Sequence, residues 1–151
     1  MESYFELWFS HGVNPTNSGY AYVLLPGATV SETKAFAESG KVEILSNNLS
    51  VQAVRDNRTG INYMVFRKAG SFGGITVSEP CMVISREADG GFEIAVSDPT
   101  QNLNLLTVTL DKKLNDAKEK DECAKVEIAD SATKITYDLT EAVGRSLECE
   151  F

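Results

Sequence analysis

Core-type side chains recur at every second position over most of this chain, and runs with helical spacing are scarce. A period of two is that of a strand with one buried face. Phe5, Leu7 and Phe9 interleave with Tyr4, Glu6 and Trp8, which predicts a strand over 4–9. Tyr20 to Leu25 reads as a second strand, apolar on both faces and closed by Pro26-Gly27, and the turn formers from His11 to Gly19 read as a long connection between the two. Thr29-Val30-Ser31-Glu32 fits a capping box, in which hydroxyl and carboxylate satisfy each other's free backbone N–H groups; one short helix over 30–39 follows, stopped by Gly40. Further strands are predicted over 42–45, 49–54 and 61–66, the last two joined as a hairpin through Asp56-Asn57-Arg58-Thr59-Gly60. Beyond residue 74, strands over 75–77, 81–84, 92–96, 103–110, 124–129, 133–139 and 146–151 come at the spacing of a small sandwich. Asp111 to Glu122 is polar and reads as an exposed loop. The fold class is therefore all-β, an antiparallel β-sandwich in two units, with one short helix near 30–39.

Charge places the division between the units. Acids and bases balance over 1–70, so residues 71–151 carry the whole net charge of −8. The step coincides with Ala69-Gly70-Ser71-Phe72-Gly73-Gly74, a small-residue stretch of linker character, which sets the expected boundary between units 1–70 and 71–151. An acidic second unit repels nucleic acid and other polyanions. The longest apolar run, Tyr20 to Leu25, is far short of the roughly 18 residues of a membrane span, so neither nucleic acid nor membrane is an expected partner. No leader is visible at Met1-Glu2-Ser3-Tyr4, which reads as a chain that starts within a longer protein.

Candidate chemistry is sparse. His11 is the single histidine and sits in a turn-rich loop, where it reads as a structural residue hydrogen-bonded to the loop backbone. Cys81, Cys123 and Cys149 show no paired spacing and read as free thiols, although a Cys123–Cys149 bridge stays open. No phosphate loop, zinc motif or calcium loop is present, so no catalytic residue, metal or cofactor is assigned. Trp8, Tyr4 and Tyr20 are the candidate carbohydrate-binding residues, as a platform on which the C–H face of a sugar stacks. The competing reading makes them cover for a sheet face.

One constellation is specific. His11-Gly12, Pro15, Tyr20, Tyr22-Val23-Leu24-Leu25-Pro26-Gly27, then Ser31-Glu32-Thr33-Lys34-Ala35 and Val51-Gln52-Ala53-Val54-Arg55, resembles the end of the central β-sandwich domain of family 8 polysaccharide lyases, which include hyaluronate, chondroitin AC and xanthan lyases. Glu93-Ile94-Ala95-Val96-Ser97-Asp98-Pro99-Thr100-Gln101 resembles the signature of their small C-terminal β-sandwich domain. The resemblance implies a β-elimination enzyme whose catalytic residues lie in an N-terminal α/α toroid, braced by the sandwiches. It transfers no catalytic role to His11, Tyr20 or Tyr22. It also implies an extracellular or periplasmic setting, the toroid as partner, and acidic polysaccharide met through the parent enzyme.

Three readings follow. The leading one is the non-catalytic C-terminal β-sandwich portion of such a lyase. The alternatives are a stand-alone carbohydrate-binding module using the Trp8 and Tyr4 face, and an independent enzyme built on His11, the weakest because that residue has no evident partner. Strands 4–9 and 20–25, apolar on both faces, are expected to need sheet partners from outside the chain or to drive self-association through unpaired edges.

Overall fold

A computed structural model describes residues 8–88 and 90–151. The chain divides into two compact units, residues 1–38 and 39–151. None of the helices among the described residues is long and apolar enough to cross a membrane.

Among the described residues of the first unit the regular element is helix α1 (Val30–Glu38). Its start follows the expected capping box: Thr29 N donates to Glu32 Oε2 at 2.7 Å and Glu32 N donates to Thr29 Oγ1 at 3.3 Å. Gly40, with φ +60°, follows its end. The strand expected over 20–25 is not formed. A strand exists through ladder hydrogen bonds to a neighbour, and among the described residues none pairs with this segment. The part of the 4–9 strand that precedes Trp8 lies outside the described residues, and Trp8 to Ser10 are irregular.

The second unit is a sandwich of two antiparallel sheets. Its strands are β1 (Val42–Asn47), β2 (Val51–Asp56), β3 (Ile61–Phe66), β4 (Gly70–Phe72), β5 (Ile75–Val77), β6 (Cys81–Ala88), β7 (Gly91–Ser97), β8 (Leu105–Leu110), β9 (Glu119–Lys120), β10 (Ala124–Ile128), β11 (Thr133–Asp138) and β12 (Leu147–Glu150). The larger sheet runs β1-β2-β3-β6-β7-β12-β9 and the smaller β10-β11-β8-β5-β4. Alternate residues meet between them: Phe66, Val83, Ile94 and Leu147 from one side, Leu106, Val108, Ile135 and Tyr137 from the other.

Three sequence expectations change here. The boundary at 69–74 does not divide the chain, because β3 pairs with β6 in antiparallel register, from Asn62 opposite Ser85 to Phe66 opposite Cys81, and draws residues from both sides into one sheet. Gly73 and Gly74, at φ +58° and +78°, form the tight turn of the β4–β5 hairpin, for which two glycines suit as well as they suit a linker. The 111–122 segment is more than an exposed loop. Leu114 and Ala117 pack on the core, and the buried Thr133 hydroxyl accepts from Leu114 N at 2.9 Å and donates to Lys112 O at 3.0 Å. Its last residues form β9, which pairs with β12. Finally, β8 starts at Leu105 and not at Leu103, whose N–H is taken by Asp98 Oδ2.

Candidate functional site

The aromatic surface of the first unit is assembled by a chain reversal. Positive φ at Gly12, Asn14 and Asn17 turns the backbone so that the segment from Tyr20 lies beside Phe9. Phe9 and Tyr20 stack with ring centroids 5.2 Å apart, and Tyr20 and Tyr22 stack at 6.3 Å. Tyr20 stays 59% exposed in this stack. Of the three residues proposed from sequence, Tyr20 lies in this stack, Trp8 is 76% exposed without a ring contact among the described residues, and Tyr4 lies outside them. Phe9 and Tyr22, not among those three, share the stack. The period-two spacing of Tyr20 and Tyr22 hinted at a shared face, but the approach of Phe9 depends on the turns between.

His11 is exposed, with its ring 6.4 Å from that of Tyr20; among the described residues it makes no hydrogen bond to the loop backbone. The three cysteines are free thiols. Burial pushes the Cys81 thiol up to about 12 and raises Cys149 as well, so neither is a ready thiolate nucleophile. The Tyr137 hydroxyl donates to Cys149 Sγ at 3.6 Å inside the core, and burial raises its pKa too.

The Ser97-Asp98-Pro99-Thr100-Gln101 signature proves to be a loop clamp. Asp98, nearly fully buried, accepts from Thr100 N (2.8 Å), Thr100 Oγ1 (2.7 Å), Asn102 N (2.8 Å) and Leu103 N (2.9 Å). Burial opposes the ion, but these four donors outweigh it and hold the carboxyl at about 2. A carboxylate engaged on all sides shapes a turn and has no lone pair left for proton transfer.

The outer face of the larger sheet carries an exposed apolar row set by strand register: Ile44 lies opposite Val54, Val54 opposite Tyr63, and Tyr63 opposite Ile84. The row runs into an open groove of about 490 Å³ bordered by Arg86, Glu93, Asp121, Glu148 and Glu150. Arg86 is bound to Glu93 by a forked pair at 2.6 Å, so acids dominate the charge there. Such a groove disfavours an anionic ligand.

Comparison with known proteins matches each unit to a domain. The family model described as polysaccharide lyase family 8, super-sandwich domain, matches residues 1–37, and the one described as polysaccharide lyase family 8, C-terminal beta-sandwich domain, matches residues 43–107. The chain belongs to polysaccharide lyase family 8. The change from one family 8 domain to the next falls between residues 37 and 43, at the division between the compact units and not at 69–74. Among curated relatives, the hyaluronate lyase of Thermasporomyces composti is 30% identical over 91% of this chain and 18% of its own length. The xanthan lyase of a Bacillus species is 30% identical over 99% of this chain and 16% of its own. The chain thus spans less than a fifth of the length of these family 8 relatives. Among solved structures, Paenibacillus xanthan lyase superposes with a TM-score of 0.76 at 27% identity, over 84% of this chain and 12% of that one. Streptomyces coelicolor chondroitin AC lyase gives 0.71 at 22% identity over 83% and 17%, a likeness of fold.

Proposed function

We propose that this chain is a non-catalytic supporting portion of a longer family 8 lyase that cleaves an acidic polysaccharide by elimination at a uronate, outside the cytoplasm. The observation that carries this reading is the domain assignment: the end of a super-sandwich followed by a C-terminal sandwich, together under a fifth of the length of the relatives. Elimination needs a carboxylate neutraliser, a base and an acid held at one sugar. The first unit offers His11 beside Tyr20 at its aromatic face, and the signature carboxylate of the second unit is spent on its loop. The sandwiches in this reading brace the catalytic part and receive no substrate bond to break.

The product of elimination absorbs in the ultraviolet, which makes the test direct. The purified 151-residue chain, incubated with hyaluronan, chondroitin or xanthan, is expected to leave the absorbance flat. Turnover that persists through purification and vanishes in His11→Ala would replace the supporting role with an independent enzyme.

A second reading, a carbohydrate-binding module, is favoured by the exposed Phe9–Tyr20–Tyr22 stack. Affinity electrophoresis in the same polysaccharides separates the two. Retardation abolished by Tyr20→Ala supports a binding module, and unchanged mobility supports the brace.

A further inference from the structure

Strand positions that point away from the core of an antiparallel sandwich are ordinarily polar, and the outer face of the larger sheet departs from that pattern. On β3 the core takes Met64 and Phe66, so the alternate positions Ile61, Tyr63 and Val65 point outward. On β6 the core takes Cys81 and Val83 and leaves Met82 and Ile84 outside, each 42% exposed. β1 and β2 add the exposed Ile44 and Val54, and β7 adds the half-buried Ala95. Register lines these residues up across the strands. The central row runs Ile44, Val54, Tyr63, Ile84, Ala95. On one side of it run Gln52, Val65, Met82 and Ser97; on the other, Asp56 lies opposite Ile61 and Arg86 opposite Glu93. Five strands with three outward positions each span about 24 Å by 20 Å, the extent of patch that marks an interaction surface.

The arrangement within this patch says what fits it. β3 is the middle strand of the five, with β2 and β1 to one side and β6 and β7 to the other. A two-fold axis along β3 therefore returns the patch onto itself, as the contact between two identical chains requires. Tyr63 then meets its own copy, Val54 meets Ile84, and Ile44, the most exposed of the row at 52%, meets the small Ala95. The charges obey the same axis. On the β2 side Asp56 is held by Arg58 at 2.6 Å, and on the β6 side Arg86 is held by Glu93 at 2.6 Å. The rotation brings the Asp56 end of one copy over the Arg86 end of the other, so opposite signs face each other on both flanks. Glu148 and Glu150, on β12, fall one strand outside the covered area. The contact covers about 500 Å² of each copy, at the low end for specific interfaces, and a net charge of −8 on each chain opposes the approach. Both considerations describe a weak dimer.

We propose that the outer face of the larger sheet is a two-fold contact between two copies of this chain, with Tyr63 on the axis. The inference goes beyond the supporting role and does not rest on it. It uses neither the aromatic stack of the first unit nor the unpaired edges expected at 4–9 and 20–25.

The test is sedimentation equilibrium of the purified 151-residue chain at about 0.15 M salt, where charge repulsion is screened beyond about 8 Å. The mean mass is expected to rise towards that of a dimer between about 10 μM and 1 mM. Tyr63→Lys and Tyr63→Asp each place like charges on the axis and are expected to weaken association about tenfold or more. Their equimolar mixture sets one charge against its opposite and is expected to regain it, an outcome that only a two-fold contact at residue 63 yields. Tyr63 is 41% exposed, and the amide spectrum of each variant checks that it is folded. On dilution of the unaltered chain, the amides of Val54, Tyr63 and Ile84 are expected to shift. A clean monomer at about 1 mM would overturn the proposal. So would association that survives in folded Tyr63→Asp and vanishes in Leu24→Asp, which would assign it to the first unit, and so would a mixture that regains nothing.

Discussion

The two units of this chain start from similar sequence and end with opposite surfaces. Residues 20–25 are as apolar as any strand of the sandwich, yet among the described residues of 1–38 none is buried, and Leu24 remains 73% exposed. In the second unit the alternating residues of β6, β7, β8 and β11 are closed between two sheets. The difference lies in partners. An apolar strand gains a core only when its backbone is paired on its edges and a second sheet covers its face. The second unit contains its own ladder from β1 to β9 and its own covering sheet, whereas the first contains a capped helix and an aromatic stack.

Substitutions make the contrast measurable. Phe66→Ala, at a side chain 1% exposed in the core of the second unit, is expected to cost about 3–5 kcal/mol in urea unfolding. A cost under about 1 kcal/mol would mean that the two sheets are not packed as described. Asp98→Ala is expected to cost about 2–4 kcal/mol, since four donors lose their acceptor. Because Asp98 titrates lower folded than unfolded, its contribution is full above about pH 5 and lost as pH falls towards about 2; in the alanine variant that part of the acid slope disappears. In the first unit Thr29→Ala removes the cap of α1 and is expected to cost about 1 kcal/mol of helix stability, read as faster amide exchange over 30–38. Leu24→Ala is the smallest, within about 0.5 kcal/mol, because the side chain is exposed. A Leu24 effect rivaling that of Phe66 would show that the first unit finds cover in solution, for instance by self-association.

Local order was readable in the residues themselves. The capping box at Thr29, the hairpin turn closed by Gly60 N on Asp56 O, and the alternation of β7 and β11 each depend on neighbours within a few positions. The family resemblance was equally readable, since its motifs are runs of sequence: His11 to Ala35 falls in the super-sandwich match, whereas Val51 to Arg55, assigned from sequence to that same domain, falls with Glu93 to Gln101 in the C-terminal match. What the residues left open is everything set by register across the chain. Gly73-Gly74 serves a linker and a hairpin equally well, and only the pairing of β3 with β6 decides that the sandwich runs through this point. The stacking of Phe9 on Tyr20 required the turns between them, and the Ile44–Val54–Tyr63–Ile84 row required four strands to align in one sheet. Period and propensity determine which residues share a face of one strand; which strands lie side by side is a long-range choice, made by the closing of a common core.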